Sequence, residues 1–175
     1  MDKLLGAADA LDVKRNAMIE KRVYNINYFM EQQKKYCKEA DEVVLKFIAN
    51  FLYHGVPEVD LDVSAESVRS TFRVGYCFYF AHMLKLAFNR GCVCWCAPYS
   101  HIVWVDISGI PYDIEGVCYS EAEYYIPLDY LGDTIDSFMH IPDRECKVRD
   151  AQEVIDIFKA DLDNGEIEKR GLSYL

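Results

Sequence analysis

Cys77, His101 and Asp113 are residue types that together perform nucleophilic thiol chemistry, and they follow one another in that order along the chain. Cys77 comes after Val74-Gly75-Tyr76 and opens an apolar run ending at Phe88, which reads as a buried helix. A thiol at a helix start lies near unpaired backbone N–H groups and the positive end of the helix dipole, and both favour thiolate. His101 opens the strand-like run Ile102-Val103-Trp104-Val105-Asp106-Ile107 and would supply a base. Asp113 closes Ile110-Pro111-Tyr112 after a Ser108-Gly109 turn, and its carboxylate would hold that base in one tautomer. Taken singly, each has a plainer explanation: buried core cysteine, hydrogen-bonded strand histidine, hairpin aspartate. The succession of helix start, strand and adjacent strand is what points to catalysis.

Whether His101 and Asp113 meet depends on one turn. A three-residue loop Ile107-Ser108-Gly109 with a bulge at Gly109 sets Val103 opposite Asp113 and His101 opposite Glu115. His101 and Asp113 then share a face as diagonal neighbours, whereas a two-residue turn would send them to opposite faces.

The surrounding segments supply the frame. Apolar residues recur at helical spacing from about Ala10 to Lys38, with a weak spot at Asn25-Ile26-Asn27, and again from Glu39 to Tyr53, where Gly55 and Pro57 give a stop signal. Both helices are expected to be core. Pro57 to Asp62 is a short acidic connection, and Ser64 to Phe72 predicts a helical turn. Asn89-Arg90-Gly91 should end the Cys77 helix, with Gly91 in the left-handed position. Cys92 to Ala97 reads as a strand, Pro98-Tyr99-Ser100 as a turn, and the next two runs as a hairpin. Ser120 and Glu123 resemble a capping box, which predicts a helix start limited by Pro127, and a last helix spans Asp150 to Asp163 with Gly165 beyond it. Strands joined by turns predict an α+β fold in one domain of residues 1–175: a helical part at 1–56, a Cys-His-Asp core at 64–118, and a Tyr-rich segment with the final helix at 119–175.

The chain of 175 residues is long enough for a sizeable core, and its 51% hydrophobic content argues against disorder. A net charge of -10 disfavours nucleic acid and anionic membranes as partners. No leader pattern or membrane-spanning run is recognised, so the expected location is the cytoplasm, with the seven cysteines mostly free.

Gly75-Tyr76-Cys77 ahead of an apolar helix, Ser100-His101-Ile102-Val103-Trp104-Val105, and Gly109-Ile110-Pro111-Tyr112-Asp113 resemble the three motifs of transglutaminase-like, papain-fold proteins. The likeness covers about a quarter of the chain, from Phe72 to Gly116. Arg73 to Phe78 also resembles the cysteine motif of arylamine N-acetyltransferases, which share that core but usually have glycine where Val74 stands. The resemblance implies a papain-like core with a nucleophile helix packed on a small antiparallel sheet. It implies Cys77 as nucleophile, His101 as general base and then acid, and Asp113 as its orienting partner. Tyr76, Trp104 and Tyr112, beside these residues in the motifs, are the candidates for substrate contact. Papain-type peptidases carry a glutamine shortly before the nucleophile, and this chain has none between Gln33 and Gln152. The second oxyanion donor is therefore unidentified, with Tyr76 and Ser70 as candidates to assist the Cys77 N–H.

Cys92, Cys94 and Cys96 alternate and would share a strand face, with Cys118 the nearby fourth thiol, but their spacing is not that of a structural zinc site and they are expected to be core. His54, His82 and His140 receive no chemical role, and Asp60, Asp62, Asp129, Asp133 and Asp136 are expected to be solvated. Tyr119, Tyr124, Tyr125 and Tyr130 read equally as the wall of a cleft near Cys77 or as ordinary aromatic packing. No cofactor and no metal are expected. The leading expectation is an acyl-transfer enzyme acting on a peptide or protein through an acyl-enzyme, as an amidase, peptidase or transamidase. The alternative is an inactive papain-fold binding protein with an acidic, Tyr-rich partner surface, of the kind carried by phage or mobile elements.

Overall fold

The computed structural model describes residues 2–54, 64–119 and 124–163, with side chains at 13–14, 16–53, 64–119 and 124–157. Helix α1 runs from Asp2 to Tyr36 without a break at Asn25-Ile26-Asn27. Isolated asparagines cost a helix only about 0.7 kcal/mol each, too little to interrupt it. Phe29 is buried and Ile26 and Met30 pack beside it, whereas Val13, Met18, Val23 and Tyr24 are exposed. The expectation that this helix is core is thus corrected: among its described apolar residues, those that meet the body begin at Ile26.

Helix α2 (Glu42–His54) is the centre of the molecule. Val44, Leu45, Phe47, Ile48, Ala49, Phe51 and Leu52 are all buried, because neighbours surround the helix on nearly every side. Asp41 anchors its start, accepting from the Val43 N–H at 2.8 Å and pairing with Arg90. The stop signal at Gly55 and Pro57, the acidic connection with Asp60 and Asp62, the capping pair Ser120 and Glu123, and Gly165 lie outside the described residues.

Helix α3 (Ala65–Arg73) is N-capped by Ser64, whose hydroxyl accepts from the Ser67 N–H at 3.2 Å. Helix α4 (Cys77–Phe88) begins at the cysteine and is largely buried. Asn89 takes the left-handed position that ends it, with φ 48°. Gly91 also has a positive φ, 67°, for a separate reason: a Cβ there would stand 2.4 Å from the Val105 carbonyl oxygen and 2.8 Å from the Trp104 indole nitrogen.

Five antiparallel strands form one sheet in the order β4-β3-β2-β1-β5: β1 Cys92–Ala97, β2 Ile102–Val105, β3 Pro111–Asp113, β4 Gly116–Val117 and β5 Tyr124–Pro127. Strand β5 overturns the helix expected from Ser120, since Ile126 pairs with Trp95 and Tyr125 with Cys96. The free edge of β1 offers hydrogen bonds to a Tyr-Tyr-Ile segment of high strand preference, and Pro127 is tolerated at the end of an edge strand. Helix α5 (Leu128–Leu131) and a 3-10 turn (Gly132–Ser137) lead to helix α6 (Arg144–Asp163), which starts six positions before the expected Asp150. The Lys147 N–H already bonds to the Asp143 carbonyl at 2.9 Å.

The described residues thus form an α+β fold of six α-helices and a five-stranded antiparallel sheet. Val93, Trp95, Ile102 and Trp104 face the helices in the main core, and their alternates Cys94, Cys96 and Val103 form a small cluster on the other face with Val105, Cys118 and Tyr125. No described helix is long and apolar enough to cross a membrane.

Candidate active site

The β2–β3 hairpin settles whether His101 and Asp113 share a face. Trp104 pairs with Tyr112 and Val105 with Pro111, and the Asp106 N–H bonds to the Ile110 carbonyl at 3.0 Å. The loop is therefore Ile107-Ser108-Gly109, with Gly109 at φ 82°, and Val103 stands across from Asp113. The Asp106 side chain pins this loop. One carboxylate oxygen accepts from the N–H groups of Ser108 (2.8 Å) and Ile110 (3.0 Å), and the other meets the Ser108 hydroxyl at 3.0 Å.

His101 Nε2 lies 3.0 Å from Asp113 Oδ2, with both side chains mostly buried. The other Asp113 oxygen accepts from the Glu115 N–H at 2.8 Å, so the carboxylate is held from two sides. Cys77, the first residue of α4, is only 3% exposed and lies beside His101. The backbone N–H groups of Ile102 and Phe78 lie near the sulfur and favour its charged form. Sheet geometry explains the Ile102 contact. The Cys96 N–H takes the His101 carbonyl, so in the alternating ladder the Ile102 N–H points away from β1. The β2–β3 ladder ends at Trp104 and Tyr112, leaving that N–H for the thiol.

Burial by itself raises the Cys77 pKa, but the nearby His101 side chain, the Ile102 N–H and the imidazolium charge outweigh it, and the net effect is below the ordinary thiol value of 9.0. Burial lowers that of His101, and its hydrogen bond with Asp113, its nearness to Cys118 and Cys77, and the Asp113 charge drive it well above 6.5. The two opposite shifts favour one state, a thiolate beside an imidazolium.

Three further residues join this arrangement without having been marked for it by the sequence. Cys118 follows β4, with its N–H on the Pro111 carbonyl at 2.9 Å. Its sulfur, an Asp113 oxygen and a His101 ring nitrogen all lie within 4.8 Å of one another. Burial raises the Cys118 thiol pKa, and contact with His101 only partly offsets it. Gln33 of α1 clamps the β3–β4 turn: its Nε2 donates to the Glu115 carbonyl at 2.9 Å and its Oε1 accepts from the Val117 N–H at 2.8 Å. Ile102 contributes only its backbone. The extended β4 register could have placed Cys118 beside Asp113, but two residues are too short a strand to be read from sequence. A glutamine reaching across 82 positions leaves no local signal at all.

The aromatic candidates separate. Tyr76 is half exposed beside Cys77, stacked edge-on against Phe72 and Tyr79, with the Lys147 ammonium 4.7 Å from its ring. Trp104 and Tyr112 are completely buried, which corrects their assignment to substrate contact. Trp104 stacks on Phe88 and donates to the Arg90 carbonyl at 2.9 Å, and the Tyr112 hydroxyl accepts from the Asp41 N–H at 2.8 Å. They are core because even-numbered positions of this hairpin face the helices. Ser70 is exposed on α3.

The tyrosines do not form one wall. Tyr119 packs on Tyr36 of α1, Tyr124 and Tyr130 are exposed, and Tyr125 crosses the small cluster to the Cys118 carbonyl at 3.3 Å. His82 packs 4.4 Å from Phe78, and burial lowers its pKa to about 4, so it is neutral at pH 7. His140 is exposed, and the His54 side chain is outside the described residues. Cys94 and Cys96 are buried as expected, but Cys92 is exposed.

No known protein family, no curated protein and no solved structure matches this chain.

Proposed function

We propose that this chain is a thiol-dependent acyl-transfer enzyme with a papain-like, transglutaminase-like core, acting on an amide or ester of a peptide or protein. The supporting observation is the connected series from Cys77 through His101 to Asp113, closed by the 3.0 Å His101–Asp113 bond. The Cys77 thiolate attacks the carbonyl carbon, forming a C–S bond while the carbonyl electrons move to oxygen. Its N–H neighbours Phe78 and Ile102 are donors at hand for that oxyanion, a contribution worth roughly 10² to 10³ in rate per donor elsewhere. The His101 imidazolium protonates the leaving amine or alcohol as the tetrahedral intermediate collapses to a thioester. Neutral His101 then takes a proton from water or an acceptor amine, and the acyl group leaves the sulfur. Asp113 keeps the imidazole oriented throughout. Water as acceptor makes the enzyme an amidase or peptidase, and we favour it because nothing marks an amine site. We also assign it to the cytoplasm, where the seven cysteines would stay free, as the structure has them.

The 3% exposure of Cys77 favours a second reading, an inactive member of the same fold whose acidic surface binds a partner. Iodoacetamide labelling followed by peptide mapping separates the two. An active enzyme alkylates at Cys77 faster than at exposed Cys92 and Cys146 at neutral pH, and loses that advantage in His101→Ala. Labelling of Cys77 slower than both, unchanged in His101→Ala, would leave only the binding reading.

A further inference from the structure

We infer that His101, Asp113 and Cys118 form a binding site for a zinc-class divalent transition metal at the edge of the Cys77 site. The catalytic reading needs Cys77, His101 and Asp113, but it has no use for Cys118. Yet Cys118 stands where its sulfur, a His101 nitrogen and an Asp113 oxygen are mutually within 4.8 Å. One imidazole, one carboxylate and one thiolate are the ligand types that zinc selects, at about 2.0–2.3 Å from the metal. Ligands at those lengths in a tetrahedron are roughly 3.4 Å apart, so small rotations of the Cys118 and Asp113 side chains close the site.

The scaffold holds the three positions firmly. His101 precedes β2, Asp113 ends β3 and Cys118 follows β4, so all three come from neighbouring strands of one sheet. The Cys118 backbone is tied to Pro111, and the Glu115 N–H orients the Asp113 carboxylate from behind, as outer partners do in metal sites. Three protein ligands leave a fourth position open to water or a ligand from solution. Binding requires the Cys118 thiol to give up its proton to solvent as the metal–sulfur bond forms.

A metal here holds a His101 nitrogen and the Asp113 carboxylate, so the imidazole cannot accept a proton at that nitrogen. Metal-bound and acyl-transfer states would exclude each other. That consequence rests on the acyl-transfer reading, but the site itself does not.

The test is cobalt(II) titration of the purified full-length protein, kept reduced with a phosphine, followed by zinc competition. The wild type and Cys77→Ala should bind one equivalent with a sulfur-to-cobalt charge-transfer band that zinc abolishes. Cys118→Ser and His101→Ala should lose the band and weaken zinc binding by more than the about 10–100-fold that loss of an outer partner costs. Absence of saturable binding overturns the proposal, as does a band that survives His101→Ala, which would put the metal on Cys94, Cys96 and Cys118. If a variant fails to fold, zinc protection in the wild type reads the same site: Cys118 should become resistant to N-ethylmaleimide while exposed Cys92 and Cys146 stay reactive. Equal labelling with and without zinc refutes the site. Metal binding retained in a Cys77→Ala protein whose wild type shows no reactive Cys77 would sink the enzyme reading alone.

Discussion

At the scale of single residues, the site depends on opposed shifts in one coupled pair. Cys77 has its thiol pKa lowered below 9.0 and His101 its imidazole pKa raised above 6.5, so the ion pair occupies the window between the two shifted values. Cys77 alkylation should therefore rise through an apparent pKa below 9.0, and the step should return toward 9.0 in His101→Ala. Asp113→Asn keeps the shape but removes the charge, and it should slow neutral-pH alkylation of Cys77 by about an order of magnitude or more. His82 supplies a different pH effect. Its folded pKa, about 4, is below its unfolded 6.5, so the unfolded chain binds the extra proton between those values. The stability that neutral His82 contributes is present above pH 6.5 and is lost as pH falls toward 4, by at most ~1.4 kcal/mol per pH unit. Urea midpoints measured from pH 7 to 4 should fall less steeply in His82→Leu than in the wild type.

At the scale of elements, two loops with positive-φ glycines have different duties. Gly109 has open space around its Cα, so Gly109→Ala carries only the left-handed strain of about 1–2 kcal/mol and should leave Cys77 labelling unchanged. Gly116, at φ 101°, would drive a Cβ to 2.4 Å from the Gln33 side-chain amide, and that amide holds the turn whose Glu115 N–H orients Asp113. Gln33→Ala strands the Glu115 carbonyl and the Val117 N–H, at a cost of about 1–3 kcal/mol. It should also slow Cys77 alkylation, a result that thermal melts and labelling rates of the two variants, compared side by side, will check.

At the scale of the whole molecule, stability is concentrated where α2, α4 and the inner sheet face meet. Phe51, packed against Phe72 and Phe80, is fully buried there. Phe51→Ala should cost about 3–5 kcal/mol, seen as a lower urea midpoint at constant slope. Met18→Ser and Val23→Ser, on the exposed part of α1, should each change stability by no more than about 0.5 kcal/mol. Equal losses at the two kinds of position would mean that α1 is covered in solution.

What the sequence determined by itself was whatever local chemistry dictates. Helical periodicity marked α2 and α4, and an apolar run following Cys77 put the thiol at a helix start, whereas the Ser108-Gly109 turn left two face parities open for His101 and Asp113 until the hairpin register chose one. These signals act over a few residues, through hydrogen bonds and φ values that neighbours impose. Tertiary structure alone decided what needed a distant partner. Tyr124 to Pro127 became a strand because β1 had a free edge, and the described apolar residues of α1 before Ile26, such as Met18 and Val23, stayed exposed. Trp104 and Tyr112 went into the core because the helices cover that face of the sheet. Gln33, the Ile102 N–H and Cys118 reached the site by the same long-range packing, since contacts across tens of residues depend on which surfaces meet and leave no pattern at the positions that make them.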